Sequence, residues 1–284
     1  MDTANCQENG ILLETIDHLK AALGDQLETL VLERIVIGIF FIGVKLSNGQ
    51  GGLCFTPIKM IPEAVCCPSS AKAMPNSGKL RGTKVLSLLA TMFSGNVLKR
   101  AIGIAVINAL SNMLFGQGAQ PGYAIFHERD PLDGYMLRKN GKAVVVGALV
   151  PYIRMLISTK SDFSILEKDT KTLKPDALEH YVPQEMAAQK IAEADLVIIT
   201  GTTLINGTLE GLLALARPQA DVFVVGPTAS MLPEAFFARG VTALGGVMVT
   251  DPDPLLDVLA EAGSGYHFFG KSADRVVIAR SRPR

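Results

Sequence analysis

The sequence predicts an α/β protein, with an N-terminal α+β domain over residues 1–139 and a doubly wound parallel sheet over 140–284. Three observations carry this. After residue 140, short β-branched runs alternate with helical periodicities, the pattern of strand–helix–strand units around a parallel sheet. Before it the order is helix, antiparallel meander, helices, an α+β arrangement. Between the two apolar regions, Phe126-His127-Glu128-Arg129-Asp130-Pro131-Leu132-Asp133-Gly134 and Arg138-Lys139-Asn140-Gly141-Lys142 are charged and turn-prone, which marks a boundary.

In the first half, Ile11, Leu12, Ile16, Leu19 and Leu23 recur at helical spacing and predict a helix over 8–23. Strand-like runs follow at 29–38 and 39–46. Ser47-Asn48-Gly49-Gln50-Gly51-Gly52 then turns the chain into a third strand at 53–56, because Asn-Gly between apolar runs is a strong hairpin signal. Residues 57–82, with Pro57, Pro62, Pro68 and Pro75, read as an irregular loop long enough to be functional. Helices at 83–93 and 96–115 close the domain. In the second half, strands are predicted at 143–149, 163–167, 196–200, 222–225 and 241–249, and a short last strand at 275–279 is expected at the sheet's edge. Helices fall between them near 152–158, 184–192, 209–216, 233–239 and 254–262.

A chain of 284 residues accommodates two ordinary domains, and 48% hydrophobic against 19% charged residues describes a core-rich globular protein. Twenty-seven basic and 27 acidic residues cancel, so no basic field is present to bind nucleic acid or an anionic membrane non-specifically. Met1-Asp2-Thr3-Ala4-Asn5 lacks the basic flank and apolar core of a secretory signal. The apolar run 35–44 is too short to span a bilayer, which takes roughly 20 residues, and the run 101–116 is interrupted by Asn108, Ser111 and Asn112. The expectation is a cytoplasmic protein without nucleic-acid or membrane partners, with homo-oligomerisation left open. Four cysteines (Cys6, Cys54, Cys66 and Cys67) do not make a disulfide framework, and a bond between adjacent Cys66 and Cys67 would be strained. No C-x-x-C pair exists, and no histidine lies at zinc-site spacing. Reduced thiols are expected and no metal residues are assigned; a metal held by Cys54 with Cys66 or Cys67 is the alternative.

The chemistry-bearing stretch is Ala194-Asp195-Leu196-Val197-Ile198-Ile199-Thr200-Gly201-Thr202-Thr203-Leu204-Ile205-Asn206-Gly207-Thr208. A strand buried on both faces ends abruptly in hydroxyl, amide and glycine groups, and ligands of open α/β sheets gather at such carboxyl ends. Thr200, Gly201, Thr202, Thr203 and Asn206 are therefore candidate ligand contacts; the alternative is a turn that uses Thr and Asn only as caps. A second loop after the next strand, Gly226-Pro227-Thr228-Ala229-Ser230, adds hydroxyls at the same sheet edge, so Gly226, Pro227, Thr228 and Ser230 are expected beside the first loop on one wall of a pocket.

The first strand–helix turn, Val146-Gly147-Ala148-Leu149-Val150-Pro151, has one glycine where a dinucleotide fold needs three, and Pro151 lacks an N–H. Glu167 lies twenty positions after Gly147 at the end of the second strand, where such folds hold a ribose. Together, Gly147 and Glu167 suggest a heterocyclic or nucleoside-like ligand more than a dinucleotide. Asp251, after the fifth strand, is a second candidate carboxylate or else a helix cap. Asn108 places an amide inside an apolar helix, where it needs partners; it is expected to face a cleft between the domains. The P-loop lysine, the G-x-S-x-G elbow and the zinc-deaminase signature are all missing, so catalysis would rest on Asn108, Glu167, Asp251 and backbone groups.

The runs Ile37-Gly38-Ile39-Phe40-Phe41-Ile42-Gly43-Val44-Lys45-Leu46 and Gly103-Ile104-Ala105-Val106-Ile107-Asn108-Ala109, with the 194–208 segment and Val225-Gly226-Pro227-Thr228, resemble the heavy-metal chelation family, a bacterial and archaeal family of unknown function. The resemblance runs over nearly the whole chain, and T-G-x-T-L-I-N-G-T is its most specific part. It implies an enolase N-terminal-like domain followed by a Rossmann-like domain partly similar to methyltransferases. It also implies a site between them for condensation or hydrolysis in the synthesis of pterin-, flavin- or siderophore-like compounds. Two other readings stay open: a binding protein that holds a metallophore or cofactor without turnover, and an S-adenosylmethionine-dependent methyltransferase, which the single-glycine turn disfavours.

Overall fold

A computed structural model describes residues 9–61, 76–117 and 122–281. Cys6, Cys66 and Cys67, and Pro62, Pro68 and Pro75 of the expected irregular loop, lie outside the described residues. The chain builds two sheets. The smaller is the expected meander, β1 (Leu32–Ile37), β2 (Phe41–Leu46) and β3 (Gly51–Phe55), antiparallel and in that order. Gly49 adopts φ +82°, the left-handed conformation that a tight Asn-Gly turn requires, and the Leu46 N–H donates to Gln50 O at 2.9 Å.

The larger sheet contains β4 (Tyr123–His127), β5 (Lys142–Val146), β6 (Asp162–Leu166), β7 (Leu196–Thr200), β8 (Asp221–Val225), β9 (Ala243–Val249) and β10 (Ala273–Arg280), in the order β4-β10-β9-β8-β7-β5-β6. Strands β6, β5, β7, β8 and β9 run parallel; β10 is antiparallel to both of its neighbours, β9 and β4. The last strand was expected at the edge. It lies one place in, because residues 123–127, which precede position 139, pair along it and take the edge.

Seven helices of at least seven residues accompany the sheets among the described residues: α1 (Gly10–Leu23), α2 (Val85–Thr91), α3 (Val97–Phe115), α4 (Val150–Ser158), α5 (Ala187–Glu193), α6 (Leu209–Leu215) and α7 (Pro252–Ala260). The central strands are uninterrupted apolar runs because both of their faces are covered. Val144, Val197, Ile199, Val222 and Val224 turn toward one core, which they share with α1, α3, α5 and α6. Val145, Leu196, Ile198, Phe223 and Val225 turn to the opposite face, against Ile153 and Leu156 of α4.

Helix α3 is apolar on nearly every side and is buried along most of its length. Among the described residues it is the one helix long and apolar enough to cross a membrane, and here that surface is satisfied by packing inside the protein. Asn96 caps it, its side chain accepting from the Leu98 and Lys99 N–H groups at 3.0 and 2.9 Å. The small sheet sits between α3 and α7. At Gly52 a Cβ would lie 2.5 Å from Ala109 N and against Ala105 O, and on the other face, at Gly43, it would lie 2.6 Å from Leu256 and Leu259. These close approaches fix the small sheet against its two helices.

Candidate active site at the carboxyl ends of β5, β6 and β7

Strand order reverses at β5: β6 lies to one side and β7 to the other. A crevice opens outside the carboxyl ends of strands at such a switch point. It is a cleft of about 1150 Å³, lined by Val146 and Gly147 at the end of β5, Leu166 to Lys168 at the end of β6, and Thr200 at the end of β7. The loop carrying Thr202, Thr203 and Asn206, the helices α5 and α6, and α1 through Gly10, Leu13, Glu14 and Asp17 also line it.

Gly147 is required twice over. Its φ of +101° is a conformation that side chains rarely adopt, and a Cβ there would lie 2.8 Å from Thr200 Cγ2. The turn it opens is closed on itself. Gly147 N–H donates to Leu166 O (2.9 Å), Leu149 N–H to Gly147 O (2.8 Å) and Val150 N–H to Ala148 O (3.0 Å), and Pro151 has no N–H. Glu167 is half-buried at the end of β6, its Oε1 accepting from Asp169 N–H at 3.0 Å.

After β7 the hydroxyls organise one another. Thr200 Oγ1 lies 3.1 Å from Thr202 Oγ1, and Thr203 Oγ1 donates to Thr200 O at 2.7 Å. Asn206 Oδ1 accepts from both the N–H (3.1 Å) and the hydroxyl (2.6 Å) of Thr208, a side-chain turn that leads the backbone into α6. Asn206 Nδ2 makes no hydrogen bond among the described residues, and the residue lines the cleft.

The other expected contacts sit elsewhere. The 200–206 and 226–230 loops are neighbours: a Cβ on Gly201 would be 3.1 Å from Ala229 N and 3.3 Å from Thr228 Cβ. Yet Gly201 is buried beneath the first loop, and Gly226, Pro227, Thr228 and Ser230 are not on the cleft wall. Thr228 Oγ1 accepts from Phe55 N–H at 3.2 Å. Ser230 Oγ donates to Pro227 O at 2.8 Å and accepts from Val247 N–H at 2.7 Å, so these hydroxyls join β3 and β9 to the second loop.

Asn108 belongs to the same junction. It is 2% exposed, and its Nδ2 donates to Leu53 O (2.6 Å), Pro227 O (3.0 Å) and Thr228 O (3.2 Å). The amide demanded partners, as its burial required, but the close approach of α3 to β3 and to the 226–230 loop supplies them from backbone carbonyls rather than from a ligand cleft. Asp251 is exposed at the N-terminus of α7, makes no side-chain cap bond and does not line the cleft.

Three lining residues carried no local signal in the sequence. Arg239 donates through Nη1 and Nη2 to Glu14 Oε2 (2.9 Å) and Oε1 (2.6 Å), and to Ala235 O (2.8 Å). The guanidinium holds the Glu14 carboxyl below the usual glutamate range, and the carboxylate raises Arg239 in turn. Glu210 Oε1 accepts from Ile11 N–H at 2.7 Å, and burial pushes its carboxyl above the usual range. Glu14 reads as a polar face of an amphipathic helix and Glu210 as an acid in a first helical turn. Only the fold, which sets Ile11 against Glu210 across 199 positions, brings them to one cleft.

Among the described residues no group of three or more His, Cys, Asp or Glu is placed to hold an ion. Cys54 is fully buried beside Thr228, and burial pushes its thiol up to about 12.

A mostly parallel α/β sheet with a cleft of small-molecule size at its carboxyl edge defines the class of protein. Comparison with known proteins narrows it. Residues 130–278 match the model of DUF364 and residues 20–111 that of DUF4213, both described as "putative heavy-metal chelation". The chain belongs to this family. An uncharacterized protein of Methanocaldococcus jannaschii is 32% identical over 181 residues, a match taking in 63% of this chain and 66% of the relative, just under two thirds of that curated relative's length. Two solved structures share the fold. A DUF364 protein of unknown function from Pyrococcus horikoshii has a TM-score of 0.72 and 20% identity, with 94% of this chain and 100% of that one covered. Another from Desulfitobacterium hafniense has a TM-score of 0.65 and 22% identity, with 93% and 99% covered.

Proposed function

We propose that the cleft binds a heterocyclic or nucleoside-like small molecule and that the protein acts on it by condensation or hydrolysis, in the synthesis of a pterin-, flavin- or siderophore-like metal-chelating compound. In this reading residues 140–284 are a Rossmann-like unit, residues 1–139 an enolase N-terminal-like unit, and the protein works in the cytoplasm. The observation that carries it is Glu167 beside Gly147 at the switch point, where α/β folds of this kind bind a ribose through a carboxylate. Thr200, Thr202 and Asn206 offer hydroxyl and amide groups along the same cleft.

The self-bonded turn after Gly147 leaves no row of N–H groups for a pyrophosphate, which favours a nucleoside or bare heterocycle over a dinucleotide. The volume of about 1150 Å³ admits a drug-sized ligand with room for a second reactant. The chelating role then lies in the product; among the described residues no group of three or more His, Cys, Asp or Glu is placed to hold an ion. The binding-protein reading shares the pocket and differs only in turnover.

Incubation with a protein-free metabolite extract, followed by mass spectrometry, tests this. A heterocyclic compound consumed, and retention of it lost in Glu167→Ala, is the expected result. A compound retained unchanged makes the protein a binder. Extract neither retained nor consumed overturns the reading.

A further inference from the structure

Two carboxylates that line the cleft, Glu14 of α1 and Glu210 of α6, stand in opposite environments. Glu14 is fixed to Arg239 by two charge-assisted hydrogen bonds. Glu210, from α6, faces the same cleft. Gly10, at the start of α1, lies beside both Arg239 and Glu210: a Cβ there would be 2.8 Å from Arg239 Nη2 and 3.6 Å from Glu210 Oε1. Two guanidiniums act on Glu210, and both are committed elsewhere. Arg239 is bonded to Glu14 and Ala235 O, whereas Arg100 of α3 is bonded to Leu204 O at 2.8 Å and to Asn9 Oδ1 at 2.5 Å. What holds Glu210 in place is the Ile11 N–H on its Oε1.

We propose that Glu210 is the proton-exchanging catalytic residue of the cleft, with the Arg239–Glu14 ion pair as the fixed charge that positions α1 against it. This rests on the reading of the cleft as a site of hydrolysis or condensation. A pair of carboxyls whose surroundings drive their proton affinities apart is how one site holds both a permanent charge and a group that gives and takes protons. Here burial raises the proton affinity of Glu210 against the opposing fields of Arg239 and Arg100, while Arg239 lowers that of Glu14. In the hydrolytic direction a water oxygen bonds to the electrophilic carbon as its proton passes to the Glu210 carboxylate. The same proton then goes to the departing ring or glycosidic heteroatom as the C–N or C–O bond breaks. The carboxylate is regenerated, water is the only added reactant, and condensation is the reverse.

The experiment follows consumption of a protein-free metabolite extract across a pH series by wild type, Glu210→Gln and Glu210→Asp, with retention of the same compound measured alongside. Gln keeps an oxygen to accept from the Ile11 N–H. The expected result is that Glu210→Gln retains the compound but consumes it about 100-fold more slowly or worse, within the range of general acid–base catalysis. One limb of the pH profile should vanish with it, and Glu210→Asp should recover part of the rate.

Consumption by Glu210→Gln at the wild-type rate with an unchanged profile overturns the proposal and leaves the cleft reading standing. A wild type that neither retains nor consumes anything overturns both. If Glu210→Gln does not fold, carbon-13 NMR titration of wild-type side-chain carboxyls decides. A glutamate midpoint raised above the ordinary range, disturbed by Gly10→Ala, supports the assignment, and its absence refutes it.

Discussion

Replacing Asn108 by Leu separates a ligand contact from a structural tie. Its Nδ2 donates to three backbone carbonyls; Pro227 O keeps the Ser230 hydroxyl at 2.8 Å, so Leu53 O and Thr228 O are the two that lose this donor outright. A buried acceptor stripped of its donor costs about 1–3 kcal/mol. Against this, Asn108 Oδ1 is itself buried without a partner among the described residues, and the substitution relieves that burden. The net expectation is a loss of about 2 kcal/mol, with the relief offsetting one of the two orphaned carbonyls. For a chain of 284 residues that corresponds to a fall in Tm of roughly 3–4 °C. A thermal melt beside a retention assay with the metabolite extract measures both quantities. Lower Tm with retention within two-fold of wild type is expected. An unchanged Tm with retention abolished would refute the reasoning and return Asn108 to the ligand site.

At Gly52, substitution by Ala forces a methyl into the α3 backbone, which cannot move aside, so a loss of about 3 kcal/mol or more, read by urea unfolding, is expected. Gly147→Ala should both strain the turn and press on Thr200, lowering retention of the extract compound more than it lowers Tm; equal retention would remove the turn from the site. Because Glu14 is held below its ordinary value, its pair with Arg239 stabilises the fold above the usual glutamate range and ceases to do so as pH falls through the lowered value. Glu14 is half exposed, so Arg239→Ala should cost under about 1 kcal/mol from the pair at neutral pH, and the gap to wild type in pH-dependent melts should narrow on acidification. A variant keeping Cys54 as its only cysteine should resist thiol reagents at pH 8 until unfolded, since burial pushes that thiol up to about 12.

The fold was legible where period and turn chemistry agreed. Residues 196–200 were read as a strand and form β7 over the same five residues, and Asn48-Gly49 makes the hairpin it signalled. Strand β4 escaped because Tyr123 to His127 is a short run leading into charged residues, and its partner β10 lies about 150 positions away, where no local pattern points back to it. The strand-end lining of the cleft was legible for the same reason as β7: strand ends followed by Gly147, Glu167 and Thr200 mark a carboxyl edge. The rest of the lining was not. Whether a hydroxyl faces a cleft or a backbone donor depends on which element packs above it. Thr228 meets β3, whereas Thr202 lines the cleft beside Thr200, although both read alike in the chain. Glu14 gains its character from Arg239, and Glu210 from its burial beside Ile11, neighbours that only the fold supplies.

The most direct test of the central claim is a crystal structure determined after equilibration with the metabolite extract. The account predicts density for one heterocyclic molecule between Gly147 and Asn206, with a hydroxyl- or N–H-bearing edge on Glu167 and its far end toward Glu210. Density for a bound compound against the Asn108–Thr228 junction, with the cleft between α1 and β5 empty, would contradict it.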